Sequence, residues 1–403
     1  MRELLTVEDY AAELLGLVAP DARPAEVLPV AEAAGRVLAA PVASTVDIPG
    51  FDNSAMDGYA IRYADAGSVP VRLPVVGEVA AGSAADPPAG PGECLRIMTG
   101  APLPGFADTV VALEQTDGGT EVVEVRVAPA GPGQHVRRAG DDVAAGDVIA
   151  QPGDELNPGL VGAVAAVGVG RVAVWPRPVV AVAATGDELV VAGSAPLRRG
   201  QLYESNSLVL VASLRRDGAV PLTGDPVGDR PEALVAWLDE ATDGADLVVL
   251  TGGASVGAYD VVRDVLTEAG GTFRHVRMQP GRPQGWAVWR GVPVVSLPGN
   301  PLSAALSYEV FVRPMLDRIL GRRPPRWYPA VAGSAWRSPL GKRQLVPVRL
   351  SADEDGRLVA VPAHTRGSAS HMVTSLGAAD GFVMVPEAVA EVTPGDPLVV
   401  RWL

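Results

Sequence analysis

Among 403 residues there is a single lysine, Lys342; every other cation is an arginine. A Walker-type phosphate loop and a pyridoxal Schiff base each need a lysine, and Leu340-Gly341-Lys342-Arg343 fits neither setting. There is also one cysteine, Cys94, which excludes an intramolecular disulfide framework and a cysteine-only zinc site and fits a reducing cytoplasm. Four scattered histidines make a His-rich metal centre a poor expectation. Positive charge is scarce overall: 33 Lys+Arg face 47 Asp+Glu, a formal charge of −14. Nucleic acid and anionic membrane are therefore not expected as partners, because both reward clustered cations. The longest apolar stretch, Leu160 to Gly170, is Gly-rich, ends at Arg171 and is too short to cross a bilayer. The acidic start Met1-Arg2-Glu3 lacks the basic and apolar regions of a signal peptide.

What is there divides into three regions. At ~150 residues per domain the length suggests two to four domains, each with ample core. Region 1–175 opens with an amphipathic helix after a Thr6 to Asp9 start signal, and a second helical patch is expected over Val30 to Leu38. Short β-rich runs follow (Val69 to Val79, Thr109 to Gln115, Glu121 to Val127), giving a β-rich lobe at roughly 46–140; Asn157-Pro158 then starts another helix. Region 176–323 alternates short apolar strands with helices: Val179 to Ala184, Asn206 to Arg216, Ala219 to Thr223, Pro231 to Thr242, Leu247 to Thr251, Tyr259 to Ala269, strands between Thr272 and Leu297, and a long helix Pro301 to Leu320. That pattern predicts a parallel, doubly wound α/β sheet with ligands at the carboxyl ends of its strands. Region 324–403 has short strands at regular spacing and reads as a small β-barrel.

Several segments carry chemistry. Thr251-Gly252-Gly253-Ala254-Ser255-Val256-Gly257 sits between a strand and a helix, where glycines and a helix N-terminus suit a phosphate, although a tight turn explains the glycines equally well. Pro298-Gly299-Asn300-Pro301-Leu302-Ser303 reads as a helix start with Asn300 as cap and a preceding elbow that favours a ligand. Carboxylates recur at strand ends: Asp187-Glu188, Asp229 and Asp260. Asp229 with Glu232 also spells a capping box, and Asp260 also suits a helix start, so structural and catalytic roles both stand. Acids from three loops on one sheet edge suit a hard cation such as Mg2+, shared with phosphate oxygens. In the first region, the polar segment Asp52 to Ala60, Arg96 to Pro102, and Val136 to Asp142 follow no periodicity. Arg137 and Arg138 either bind phosphate or pair with Asp141 and Asp142 on a solvated face.

Taken together, the chain resembles the molybdopterin molybdenumtransferases, the bacterial molybdenum-insertion family related to the C-terminal domain of gephyrin. The resemblance rests on ordered motifs: DNSAMDGYA at 52–60, RIMTGAPLP at 96–104, VRRAGDD at 136–142, TGDEL at 185–189, GQLYESN at 200–206, TGGASVGAYD at 251–260, QPGRPQG at 279–285 and LPGNPLS at 297–303. It implies an elongated mixed α+β N-terminal part of two lobes, a central domain of the molybdopterin-binding type and a C-terminal β-barrel. It also implies a cytoplasmic homodimer in which the segment at 52–60 completes the partner's site. The implied reaction inserts molybdate into adenylyl-molybdopterin and releases AMP, with Mg2+. Asp57, Thr99, Glu188, Asp229 and Asp260 match functional positions, Glu188 and Asp260 being assigned to the metal. The glycine loop (Thr251, Gly252, Gly253, Ser255, Gly257) is assigned to the pterin phosphate, and Pro298, Gly299 and Asn300 of the elbow to substrate binding. Gln279, Arg282, Ser303, Arg343 and, more weakly, Ser368 are assigned to the oxyanion.

One departure stands out. Where the family often has Lys-Pro-Gly-Lys-Pro, this chain has Gln279-Pro280-Gly281-Arg282-Pro283, and His275 stands at a further position where lysine is expected. Two other activities share parts of the pattern: molybdopterin adenylylation, whose enzymes resemble the central domain alone, and a gephyrin-like scaffold. The adenylyltransferase and downstream molybdoenzymes are expected partners in the first reading.

Overall fold

The computed structural model describes residues 4–20, 23–253, 260–364 and 369–403. Ser255, Gly257 and Ser368 lie outside the described residues, as does the stretch 254–259 to which the first two belong.

The first helix, Val7–Leu15, begins where the sequence places it: Thr6 accepts a hydrogen bond from the Asp9 N–H at 3.0 Å. Val7, Tyr10 and Leu14, spaced three and four apart, form its buried face. That face packs into the central domain, where the Tyr10 ring meets Phe311 edge-on at 4.9 Å. The helix thus belongs by packing to a domain encoded more than 150 residues later.

The rest of the N-terminal region forms two lobes. In one, Glu26–Pro29 pairs with Arg171–Val174 and Val42–Ala43 with Val148–Ala150, around Val30, Leu38, Leu156, Val164 and Val174. Its helix, Pro158–Ala166, is capped by the Asn157 side chain, as the Asn-Pro signal predicts. The expected helix over Val30 to Leu38 is corrected to one 3-10 turn, Val30–Glu32. Gly35 stops it: this residue sits at φ +71°, and its N–H is taken by the Leu156 carbonyl. The other lobe is inserted between the strands Val42–Ala43 and Val148–Ala150. It is a five-stranded sheet ordered Thr109–Ala112, Gly58–Ile61, Cys94–Ile97, Val71–Val79, Val122–Val125. Its apolar clusters lie on alternate residues, so Tyr59 and Ile61 face one core and Ala60 the other.

The central sheet is ordered Val220–Thr223, Val179–Ala184, Leu247–Thr251, Val292–Leu297, Pro283–Trp289, Thr272–His275. The first four strands are parallel. Helices Asn206–Arg216 and Pro301–Ile319 cover one face and Pro231–Ala241 and Val261–Glu268 the other, which is the doubly wound arrangement. The sheet is not wholly parallel, however. Pro283–Trp289 runs antiparallel to both neighbours, because only Arg290-Gly291 separates it from Val292 and a parallel crossover needs a helix-length connection. Both hairpin residues have positive φ, as a two-residue turn of this hand requires. The long last helix is continuous but contains a π turn at Tyr308–Val312. Pro314 lacks an N–H and its ring crowds the preceding turn, which accounts for the altered winding just before it.

The C-terminal strands Tyr328–Ala332, Arg343–Ala352, Leu358–Pro362, Gly381–Val385 and Pro397–Trp402 close into a barrel. Closure comes from Arg343–Ala352, which pairs with both Leu358–Pro362 and Gly381–Val385. Val346, Val348, Ala360, Val383 and Val400 fill it. Met278–Gln279, from the central domain, adds to the start of strand Arg343–Ala352 through the pairs Met278↔Arg343 and Gln279↔Gln344. A segment of the site is thereby hydrogen-bonded to the barrel.

Candidate functional site

A cleft of about 840 Å³ opens at the carboxyl ends of Val179–Ala184, Leu247–Thr251 and Val292–Leu297, where the barrel meets the central sheet. It collects most of the residues that the sequence singles out. Glu188, Asp229, Asp260, Thr251, Gly252, Gly253, Gln279, Arg282, Pro298, Gly299, Asn300 and Ser303 all line it.

Two backbone loops form its floor. Gly252 has φ +94°, and a Cβ there would lie 2.5 Å from the Thr185 carbonyl oxygen; a Cβ on Gly299 would come within 3.2 Å of Gly252 Cα. Only glycine allows these strand ends to approach so closely. Asn206, 9% exposed, ties them together, its Nδ2 donating to the Gly299 carbonyl at 2.7 Å and lying 3.4 Å from Thr251 Oγ1. Sequence reasoning read Asn206 only as the start of a helix. Its place in a polar motif directly before an apolar helix was the available signal.

The acids differ in their surroundings. Asp260 is 4% exposed and is the N-cap of helix Val261–Glu268, so the structural role considered for it is realised alongside its position in the cleft. The capping box at Asp229 is not formed. Arg230 occupies the cap position without a side-chain bond, while the Asp229 carboxylate accepts from Asp187 N at 3.1 Å and Asp187 reciprocates to Asp229 N at 3.1 Å. Glu188 is exposed and lies against the bare Cα of Gly186, where a Cβ would meet its Oε2 at 2.5 Å. Asn300 likewise stands at a helix cap without making the side-chain bond, leaving its amide at the cleft wall.

Cations enter from the other side. Arg282 follows Gly281 on the loop before strand Pro283–Trp289, and Lys342, the sole lysine, reaches in from the barrel, its Nζ 3.4 Å from Gln279 Oε1. Neither has an ion-pair partner among the described residues, whereas many other arginines of the chain are paired. Arg343, assigned to the oxyanion from the sequence, does not line the cleft; it pairs with Glu8 and Glu387. Lys342 closes the turn at Gly341, its N–H donating to the Pro339 carbonyl, just before strand Arg343–Ala352 begins, so the turn aims one cation into the cleft and the strand holds the next outside it. His275 also lies elsewhere, on a neighbouring cavity with Arg263 and Arg274.

Asp57, Thr99, Arg137 and Arg138 are on the β-rich N-terminal lobe and do not line this cleft. Asp57 accepts from both the Thr99 N–H (2.6 Å) and the Thr99 hydroxyl (2.8 Å), bonds that hold its carboxyl below its ordinary pKa. Arg138 pairs with Asp52 at 2.5 Å and meets Asp141 through its backbone, its N–H donating to the Asp141 carboxylate and its carbonyl accepting from the Asp141 N–H, so of the two alternatives the side-chain pairing with Asp141 and Asp142 is not the one formed by Arg138.

The three-part fold and a glycine-floored, cation-walled cleft on its α/β domain define a protein of the molybdopterin-binding class. The matching family models agree in order: residues 5–168 fit the MoeA N-terminal region (domain I and II), 181–318 the "probable molybdopterin binding domain" and 329–401 the MoeA C-terminal region (domain IV). Molybdopterin molybdenumtransferase 2 of Mycobacterium tuberculosis is 42% identical over 388 residues, covering 93% of this chain and 94% of that protein. The molybdopterin molybdenumtransferase of Haemophilus influenzae is 30% identical over 99% of this chain and 98% of its own. A molybdopterin biosynthesis MoeA protein from Pyrococcus horikoshii superposes with a TM-score of 0.84 at 26% identity, covering 100% of both chains. The chain belongs to the molybdopterin molybdenumtransferase (MoeA) family, whose place is in molybdenum cofactor biosynthesis.

Proposed function

We propose that the protein inserts molybdate into adenylyl-molybdopterin with release of AMP. The observation that carries this reading is the pairing of a glycine backbone floor with two cations, Arg282 and Lys342, that no carboxylate neutralises among the described residues of a strongly acidic chain. A tetrahedral dianion leaves water only where such charge offsets its desolvation. Gly252, Gly253 and Gly299 leave room for phosphate oxygens against the backbone, next to the start of helix Pro301–Ser307.

Glu188 and Asp260 would hold Mg2+. Both carboxylates line the one cleft, and Mg2+ is an ion that takes one or two carboxylates and completes its shell with phosphate oxygens and water. When bound, the ion supplies charge neutralisation at the phosphoanhydride. Asp260, buried at the cap of helix Val261–Glu268, lies on one side of the cleft, and the clasped Asp187–Asp229 pair fixes the loop between strand and helix. Asp57 with Thr99 would complete the site of a second copy in a cytoplasmic homodimer, and the adenylyltransferase that makes the substrate and the molybdoenzymes that take the product are natural partners.

The test supplies purified protein with adenylyl-molybdopterin, Mg2+ and molybdate. AMP release with a molybdenum-loaded product supports the reading. ATP consumption with molybdopterin would select adenylylation, and binding without turnover a scaffold. Asp260→Ala is expected to slow AMP release strongly; a wild-type rate would remove Asp260 from the mechanism.

A further inference from the structure

Both cations of the cleft are carried by structures moored to one turn of the helix that starts at Pro301. Ser307 is buried there, and its Oγ accepts from Gln284 Nε2 at 2.7 Å; the same Nε2 donates to the Gly281 carbonyl at 2.7 Å. Gly281, at φ +102°, is pressed so closely to this helix that a Cβ would lie 2.9 Å from Ser307 Oγ. Arg282 is the next residue, so its loop is fixed to Ser307. Two residues along, in the π turn, Glu309 is 2% exposed. Its carboxylate pairs with Arg401, with Arg216 at 2.5 Å and with Arg313 at 3.1 Å, and its carbonyl accepts from Arg401 Nη2 at 2.7 Å. Arg401 sits on the last barrel strand, 5% exposed, over the rings of Trp327 and Phe382 at 5.8 and 5.4 Å. That barrel carries Lys342.

A buried ion pair of this kind is weak evidence for stability, since well-packed apolar residues hold two surfaces together as firmly; its better-attested use is to fix one register. The barrel is held on the central domain by apolar packing of Leu345, Phe382 and Trp327 into the shared core, by the short ladder of Met278–Gln279 on strand Arg343–Ala352 beside the cleft, by the Leu302 N–H bond to the Ser370 carbonyl, and by the Arg401–Glu309 pair on the helix. Apolar contacts are non-directional, and the Arg401–Glu309 pair adds the directional bonds that set the barrel's angle on the helix. We propose that the Ser307 to Glu309 turn is a common mount that sets the spacing of Arg282 and Lys342. Gln284, Glu309 and Arg401 then act as positioning residues for the oxyanion, and this rests on the cleft being the molybdate site.

The test uses the full-length chain. Arg401→Met keeps an apolar stem under Trp327 and Phe382 and leaves Glu309 paired with Arg216 and Arg313. The dissociation constant for molybdate alone, measured by calorimetry, and the half-saturating molybdate in turnover should both rise about tenfold, as small misplacements of charged ligands do. Half-saturation for adenylyl-molybdopterin should stay within about twofold, with near-UV dichroism unchanged. Arg401→Lys should restore part of the affinity, and Gln284→Met should act in the same direction through Arg282. A merely structural role lowers kcat through the active fraction and leaves molybdate affinity intact, a result that overturns the proposal. If Arg401→Met does not fold, Arg401→Gln, which removes the charge but can still donate to the Glu309 carbonyl, decides by the presence or absence of the same shift. Wild-type protein that binds molybdate but releases no AMP sinks the proposed reaction alone, while calorimetry still decides the mount.

Discussion

At the scale of single residues, the site turns on which of two adjacent cations faces it. Lys342 lines the cleft and Arg343 is held by Glu8 and Glu387, so Lys342→Met and Arg282→Ala should each raise the molybdate needed for half-maximal AMP release by about tenfold. Arg343→Met should leave that concentration unchanged, and its cost should appear in melting temperature instead. A molybdate titration of the three variants checks both statements, and equal effects of Lys342→Met and Arg343→Met would refute the assignment. The sequence makes the need for a cation legible, because Gln279 stands where the resemblance expects a lysine. It cannot say which neighbour supplies it, because Lys342 sits in the turn just before strand Arg343–Ala352, and the start of that strand is placed by pairing with a segment over sixty residues earlier. Asn206 was missed for a related reason: its two bonds go to Thr251 and Gly299, far apart in the chain.

At the scale of elements, the strands and helices whose limits the sequence locates well are those bounded by strong local stops. Leu247–Thr251 ends in Gly252-Gly253, and Asn206–Arg216 ends just before Gly218, at φ +84°. Elements misread from sequence are those decided by distant partners. Pro283–Trp289 is turned antiparallel by a two-residue hairpin, and the Val30 patch is claimed by the Leu156 segment instead of continuing as helix. The glycine floor gives a sharp test. Gly252→Ala introduces a Cβ 2.5 Å from the Thr185 carbonyl at a positive φ, a strain of about 1–3 kcal/mol that the loop relieves only by moving. Thermal stability should fall accordingly and kcat/KM by about a hundredfold, with far-UV dichroism preserved. Undiminished turnover would show that the backbone there does not meet the substrate.

At the scale of the whole molecule, two further outcomes are expected. Burial pushes the Asp317 carboxyl up to about 6, against the opposing pull of Arg322 and Arg313. Its folded-state value is above that of the unfolded chain, so the native state binds this proton more tightly between about pH 4 and 6, and this group favours folding as acid is added. Above about pH 6 it is a buried charge and a cost. Asp317→Asn should therefore raise stability at pH 8 by on the order of 1–3 kcal/mol and leave it nearly unchanged at pH 4, measured by urea denaturation across that range. A loss at pH 8 would mean that its Arg322 pairing, at 3.6 Å, outweighs burial. The second outcome concerns assembly. Asp57 and Asp260 are both assigned to the reaction, yet Asp57 does not line the cleft of its own chain. If two copies complete each other's sites, mixing inactive Asp57→Ala and Asp260→Ala proteins should restore about a quarter of wild-type AMP release, since half the dimers are mixed and each has one intact site. No recovery after subunit exchange would place the whole reaction within one chain.

The packing of helix Val7–Leu15 has a consequence for how the protein is made. This helix is synthesised well before the segments it packs on: Leu5 bonds to His275 and Arg277, and Tyr10 waits for Phe311. At ~5–20 residues per second, its apolar face is bare for ~15–60 s of synthesis. Contacts that close so large a loop also slow folding. The two N-terminal lobes have cores of their own and need not wait, so they should become protease-resistant on the nascent chain well before helix Val7–Leu15 does. That interval makes helix Val7–Leu15, more than any part of the cleft, the natural client of a chaperone at the exit tunnel.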